Sequence, residues 1–274
     1  MQKKTLNKIP KHPFRKKLSI QFSLDGFSFC ISDVDTKELQ HLSSFSFDEK
    51  ISTPESLLEL IMIQFNENAI LSQAFDEILV IHQNELATLV PSALFKEDQL
   101  NSYLNYNIKT LTSDFITFDT ISNIDAKNVY VPYVNINNFL FQKYGEFEYK
   151  HHATVLIDKL ILHAKNNKEK QCYAYVSNNT FDMVVIENSN LLFHNTFSFS
   201  TKEDFLYYLL FTSEQLNLNP EEFQLTMLGA ISKESDLFSI AYQYIRNIEI
   251  FDTKETFFEL DTSVANHTHF LILP

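Results

Sequence analysis

Few side chains in this sequence are spaced to do chemistry, and the histidines are one weak group among them. His151 and His152 are adjacent, and His163 follows within the stretch ATVLIDKLILHA. Imidazoles on one helix face can share a metal ion, but a closed shell needs thiolates or carboxylates beside them. No cysteine or clustered acid stands near these histidines, so no metal is expected. His267 and His269 alternate, which on a strand puts both on one face as surface or core partners. Asp33 and Asp35 fall between two strand-like runs, where a solvated loop is expected. Serine, histidine and aspartate are plentiful, yet no Gly-x-Ser-x-Gly elbow singles out a nucleophile. Cys30 and Cys172 each lie inside an apolar, strand-like run, as reduced buried thiols of a cytoplasmic protein would. Only 3 glycines occur in 274 residues. A Gly-rich phosphate loop is thereby disfavoured, since it needs positions without Cβ or at positive φ for backbone to approach the ligand.

The composition is that of a folded protein, 45% hydrophobic and 14% aromatic with 26 Phe, and the length suits two modest domains or one large one. The net charge of −13 comes from 35 acidic and 22 basic residues, which disfavours a nucleic-acid surface over the whole body. The sign is uneven. Residues 1–17 carry Lys3, Lys4, Lys8, Lys11, Arg15, Lys16 and Lys17 and no acid, which leaves 15 basic against 35 acidic residues elsewhere. This basic arm, 1–17, is expected to be a mobile, solvated tail. The run after it, LSIQFSLDGFSFCI, is broken by Gln21, Ser23 and Asp25 and is no signal peptide. No stretch reaches the roughly 18 apolar residues of a membrane span.

The elements that must position the polar residues are clearest from Cys172 to Ile231. CYAYVS, TFDMVVIE and LLFHNTFSF read as three strands separated by short Asn-rich turns. TKEDFLYYLLFTSEQL then reads as a helix and FQLTMLG as a further strand. Ser200 is expected to cap the helix with Glu203 completing a capping box, and Phe205, Leu206, Leu209, Leu210 and Leu216 to face the core. Ser235–Arg246 reads as a helix, Ile248–Phe251 as a strand, and His269–Leu273 as a short strand or helical stub. A weaker copy begins at Leu18, with strands Leu18–Leu24 and Phe27–Ile31 about an Asp25-Gly26 hairpin turn and a third at Leu39–Phe47. Thr53 caps the next helix, Pro54 takes its first position, and Leu57, Leu58, Ile61, Met62 and Phe65 form its stripe. Glu77–His82 reads as a buried strand. Val90-Pro91 and Val131-Pro132 each end a strand and open a helix, with a strand at Phe115–Phe118 between them. Ala153–Ala164 reads as a helix. Three antiparallel strands, helix, strand, helix, given twice, is the ribonuclease-H-like arrangement in duplicate. The expected fold is therefore α/β, the actin-like ATPase fold, with a mixed sheet flanked by helices in each of two ribonuclease-H-like subdomains, 18–150 and 151–274.

The segment 128–161, NVYVPYVNINNFLFQKYGEFEYKHHATVLIDKLI, resembles the signature of a bacterial domain-of-unknown-function family. SIQFSLDGFSFCI and TLVPSALF match it too, so the resemblance covers most of the chain. It implies an actin-like ATPase fold with no assigned function and no set of catalytic residues to carry over. A more distant similarity is to the actin-like proteins of cell division and pilus assembly. In the ATP-using members of the fold, two β-hairpin turns clamp the phosphates, each pairing a carboxylate with glycines, and a glycine pair near the last strand admits the adenosine. Here the first turn, Ser23-Leu24-Asp25-Gly26, keeps one acid and one glycine. The second, Ser177-Asn178-Asn179, has neither, and Asp182 lies in the strand after it; its asparagines suit a tight turn. Leu228-Gly229-Ala230 offers one glycine where the resemblance implies two.

The function expected is that of a non-catalytic interaction or scaffold protein of the bacterial cytoplasm, with a degenerate nucleotide cleft and no cofactor. One alternative is an ATP- and magnesium-binding protein with weak ATPase activity through Asp25. Its cleft would then be lined by Ser23, Asp25, Gly26, Ser177, Asn178, Asn179 and Gly229. A second alternative is an RNA- or membrane-associated accessory protein acting through residues 1–17.

Overall fold

Leu18, Ile20 and Phe22 alternate with Ser19 and Gln21 along one extended run, and the same period of two continues through Phe27, Phe29 and Ile31. Each such strand presents one face to an apolar core. The computed structural model describes residues 2–7, 13–47, 51, 53–252 and 266–274. Among these residues the strands form sheets of six, five and three strands.

The first sheet begins with β1 (Gln2–Asn7), β2 (Lys16–Ser23), β3 (Gly26–Asp33) and β4 (Leu39–Ser46). Helix α1 (Pro54–Glu67) then crosses to β5 (Glu77–His82), which runs parallel to β2. Thr53 Oγ1 accepts the backbone N–H of Ser56 at 3.2 Å, and Pro54 opens the helix as its residue type predicts. Its buried stripe is narrower than expected: Leu57, Ile61 and Phe65 are buried, Leu58 is half-buried, and Met62 is 42% exposed.

A small antiparallel sheet interrupts the order here: β6 (Ala87–Pro91), helix α2 (Leu100–Leu104), β7 (Thr117–Thr120) and β8 (Ala126–Tyr130). Its own core is Val90, Leu104, Val129 and Val131. The chain returns through α3 (Val134–Tyr144) to β9 (Glu148–His151), parallel to β5, which completes the order β1-β4-β3-β2-β5-β9.

The second large sheet follows α4 (His152–Ala164). It contains β10 (Gln171–Val176), β11 (Thr180–Glu187), β12 (Asn190–Ser198), β13 (Gln224–Gly229) and β14 (Asn247–Ile250), in the order β12-β11-β10-β13-β14. Helices α5 (Lys202–Gln215) and α6 (Asp236–Tyr244) make its crossovers.

Strand parity assigns the layers. Leu18, Ile20, Phe27, Phe29 and Val80 face α1 and α3, whereas Cys30, Leu42 and Ile81 face α4. In the second sheet Phe181, Met183 and Val185 face α5 and α6, whereas Tyr173, Tyr175 and Val184 face α4. Helix α4, apolar nearly all round, lies in the core between the two sheets, as such a helix must. The chain end joins it there: Phe270–Leu273 are buried, Lys159 Nζ donates to the carbonyls of Phe270, Leu271 and Leu273, and Cys30 Sγ donates to the Ile272 carbonyl at 2.9 Å.

Several expectations are corrected. Residues 2–7 are not a loose arm but an edge strand paired with β4, where Lys3 donates to Asn68 at 2.9 Å and stands over the Phe45 ring. Residues 16 and 17 belong to β2, and Arg15 meets Asp35 and Glu77; residues 8–12 lie outside the described residues. Pro91 ends β6, and Ser92–Leu94 after it form a single 3-10 turn rather than an α-helix. The expected strand 115–118 is displaced to Thr117–Thr120, and β9 has no counterpart among the expected elements. Thr201, not Ser200, caps α5, and Asp204 rather than Glu203 completes its capping box. Leu210 and Leu216 are half-buried, with Thr212 and Ser213 buried on that helix instead. His267 and His269 occupy a 3-10 turn, Asn266–His269, not a strand.

Candidate functional site

The β2–β3 hairpin carries Ser23, Asp25 and Gly26, and the β10–β11 hairpin carries Ser177, Asn178 and Asn179. Both point to where the two sheets meet, beside the carboxyl ends of the parallel strands β5 and β13. Crevices at such strand ends are the usual ligand sites of open α/β sheets. The turns touch. Asn178 Nδ2 donates to Asp25 Oδ1 at 3.4 Å, and Gln83 Nε2 donates to Ser177 Oγ at 2.6 Å. Gln21 Nε2 donates to Gln83 Oε1 at 2.6 Å and to the Tyr175 hydroxyl at 3.3 Å, and Ser198 Oγ donates to Glu85 Oε2 at 2.7 Å. Open space flanks this bridge on both sides. About 290 Å³ is bounded by Ser44, Ser46, Tyr175 and His269, and about 390 Å³ by Pro54, Tyr133, His152 and Thr196, while Ser23, Asp25, Gln83 and Ser177 line both.

Gly26 lines the smaller space, Gly229 immediately precedes Ala230, which lines it too, and backbone packing accounts for both glycines. A Cβ on Gly26 would lie 2.8 Å from the Phe45 carbonyl oxygen of the neighbouring strand. Gly229 has φ of +89°, and a Cβ there would lie 2.2 Å from the Val176 carbonyl oxygen, which already accepts from Ala230 N at 2.7 Å. Gly229→Ala is therefore expected to destabilise the fold by about 2–3 kcal/mol, from the strained φ and the clash together. Urea unfolding midpoints at neutral pH check it.

In the wall of the larger space, to which His152 and Thr196 contribute, lies a charged cluster that sequence reasoning passes over. Asp182, on β11, is 1% exposed and accepts from His152 Nε2 at 3.1 Å, His194 Nε2 at 3.1 Å and Thr196 Oγ1 at 2.7 Å. Burial pushes its pKa up, but the charges and hydrogen bonds of His152 and His194 outweigh this and hold it well below the usual carboxylate range. His152 is the first residue of α4, so the carboxylate also answers the positive end of that helix. Its Nδ1 has no partner among the described residues.

Next to it, His151 Nδ1 accepts from Ala153 N at 3.2 Å, so the proton sits on Nε2, which donates to the Asn84 carbonyl at 3.1 Å. Burial keeps this ring neutral, its pKa well below the usual imidazole value. Asp119, from the small sheet, accepts from His151 N, Thr154 Oγ1 and Tyr130 OH, and burial raises its pKa. The cluster thus fastens β11, β12 and the small sheet to the start of α4. The sequence signal for it is parity: Asp182 falls on the same strand face as Val184 and Ile186, a core position for a charge.

The remaining candidates do not converge. His163 is separated from His152 by roughly 16 Å of α4 and packs against the Phe251 and Tyr173 rings. Among the described residues no three His, Cys, Asp or Glu side chains are grouped to hold a metal ion. Cys30 and Cys172 are buried thiols pushed up to about 12 by that burial, hence unreactive. Asp33 Oδ1 accepts from the N–H groups of Asp35 and Thr36, which closes a turn and lowers its pKa. His267 Nε2 meets the Ile231 carbonyl at 2.8 Å, and His269 is buried at the cleft margin. Among the described residues no helix is long and apolar enough to cross a membrane.

Two large mixed sheets on either side of α4, each lending a hairpin turn to a common cleft, make up the actin-like ATPase fold. Within that class the chain belongs to the family described as protein of unknown function (DUF3822), whose signature matches residues 6–248. It is similar to a solved protein of Bacteroides thetaiotaomicron described as having an actin-like ATPase fold and unknown function, at 25% identity and a TM-score of 0.74 over 86% of this chain and 91% of that one. It is also similar to the PilM-PilN type IV pilus biogenesis complex, at 12% identity and a TM-score of 0.66 over 95% of this chain and 97% of that one. The second likeness is one of fold. No curated protein matches the chain. The expected fold and the expected kind of family are both met.

Proposed function

We propose that the protein is a non-catalytic interaction or scaffold protein of the bacterial cytoplasm, built by duplication of one unit and bearing a degenerate nucleotide cleft. The observation that carries this reading is the contact of the two turns, Asp25 with Asn178 at 3.4 Å. A phosphate clamped between the turns needs N–H donors from both and a carboxylate free to hold magnesium. Asp25 is instead engaged by Asn178, and Ser177 by Gln83. A triphosphate spanning the two spaces beside the bridge would have to displace both bonds. The second turn has no carboxylate, and the glycines at the cleft answer to packing rather than to a ligand. One fold relative occurs in a complex of two proteins, which suits a partner-binding body. The buried reduced thiols suit a reducing compartment.

The test is a thermal-shift and calorimetric titration with ATP, ADP and magnesium. A nucleotide present at 100 times its Kd stabilises a protein by roughly 3 kcal/mol, an unmistakable rise in Tm. No rise and no heat are expected. A Mg-ATP-dependent rise that disappears in Asp25→Asn would overturn the reading in favour of a nucleotide-binding protein.

A further inference from the structure

We infer that the groove between α5 and α6 docks a cationic amphipathic helix of a partner protein. The two helices cover the face of the five-stranded sheet opposite α4, so the groove is on the far side of that sheet from the cleft. Phe205 and Leu209 bury the inner side of α5, which should leave its outer side polar. Instead Tyr207 and Phe211, one turn apart, are 60% and 49% exposed and stack with ring centroids 5.8 Å apart. Across from them on α6, Tyr244 is 54% exposed, and together with Ile240 these rings enclose about 500 Å³. Scattered exposed apolar side chains are ordinary, but a continuous aromatic groove marks an interaction surface. Rings at i, i+4 form the ridges against which a helix packs. Glu203 to Glu214 spans roughly 16 Å, three turns of a docked helix.

Charge selects the occupant. Glu203 and Glu214 line the groove, and no basic side chain is among its lining residues. Residues 171–252 carry eleven acidic and three basic residues in all. A second copy seated by two-fold symmetry would bring the same glutamates against these, like charge on like. A helix with Leu or Ile at i, i+3 or i+4, and i+7, flanked by Lys or Arg, fills the aromatic floor, pairs both carboxylates and sets cations over the tyrosine faces. This surface deepens, and rests on, the reading of the protein as an interaction scaffold.

The experiment is fluorescence anisotropy on the full chain with two probes of about 14 residues, long enough for the groove. One is a Leu/Lys amphipathic helix and the other a Leu/Glu helix with the same apolar face. The Leu/Lys peptide is expected to bind about tenfold more tightly, and Tyr207→Ser with Tyr244→Ser to weaken it about tenfold. Glu203→Lys with Glu214→Lys is expected to reverse the preference. Both tyrosines are more than half exposed, so these variants should fold, which circular dichroism checks. Equal binding of the two peptides, or unchanged affinity in the tyrosine variant, overturns the inference. So does a dimer in sedimentation equilibrium that Tyr207→Ser dissociates, because a second copy then covers the groove. The nucleotide titration reads the other face of the sheet, so either result can fail without the other.

Discussion

Asp182→Ala is expected to cost the protein about 3–5 kcal/mol of unfolding free energy, the usual penalty for removing one member of a buried charged cluster. His152, His194 and Thr196 all donate to this carboxylate, and of the three donors only His152 is fully buried. The loss falls hardest on His152, which is 2% exposed and whose Nδ1 already lacks a partner among the described residues. An imidazole with neither nitrogen bonded is a costly group to bury. A domain whose total stability is about 5–15 kcal/mol would keep only part of it. Asp182→Asn keeps the shape and one acceptor, so it should lose distinctly less. Replacing Asp182 and His152 together by leucine removes donor and acceptor at once and should come closer to neutral than either single change. Urea unfolding of the three variants at neutral pH, with the slope m unchanged, checks the ordering. A loss under about 1 kcal/mol for Asp182→Ala would mean that water reaches the carboxylate and that the cluster does not fasten β11 and β12 to α4.

The parts of the fold that are legible in the sequence are those governed by local chemistry. Thr53-Pro54 opens α1 because a hydroxyl cap and a missing N–H suit a helix start in any surroundings. The hairpin stands where Asp25-Gly26 marks it, although its two-residue loop is Leu24-Asp25 and Gly26 pairs with Ser23 inside β3 without a positive φ, and Phe27, Phe29 and Ile31 declare a strand by period alone. The features that sequence misplaces depend on neighbours. The lysines of β1 look like a solvated tail, yet a lysine-bearing edge strand is a common way to keep a sheet from pairing with other chains. Strand β9, Glu-Tyr-Lys-His, is four residues at the sheet edge and forms only because β5 supplies a parallel partner. The residues of the two hairpin turns identify them, but not that they touch. Asn178 reaches Asp25, and Gln83 at the end of β5 reaches Ser177, only because the two sheets are brought together around α4. Parity flags Asp182 as a charge in a core position, but not the histidine 30 residues earlier that answers it.

Acid should unfold this protein well before its carboxylates titrate. His82, His151 and His269 are buried, and burial lowers the pKa of each, His82 to about 3 and His269 to about 4, with His151 well below its usual value. The neutral form of His82 is built into the fold: its Nδ1 accepts from Tyr133 N at 3.1 Å, so its Nε2 donates to Asn137 at 3.0 Å, among the rings of Phe22, Tyr133 and Tyr149. Lys4 and His267 face His269 and lower it further, and His152 does the same to His151, opposed by Asp182. A base whose folded pKa is depressed stabilises the fold above its unfolded pKa, about 6.5, and that stability is lost as pH falls from there toward the folded value. Each ring then contributes a slope of roughly 1–2 kcal/mol per pH unit, and the three together roughly 4. Because that slope is only half developed at pH 6.5, the loss from pH 6.5 to 5 is about 5 kcal/mol, comparable with the whole stability of many domains. Asp119 works the other way, since burial raises its pKa and so favours the fold on acidification, but it is one carboxyl against three rings. Urea midpoints from pH 7.5 to 4.5 should therefore fall steeply below pH 6.5, with close to three protons taken up on unfolding. Replacing His82 with glutamine should remove one proton from that slope whatever it does to the stability at pH 7.5. An uptake below one proton in the unaltered protein would mean that these rings accept protons while folded, and the neutral hydrogen-bond assignments of His82 and His151 would fall with it.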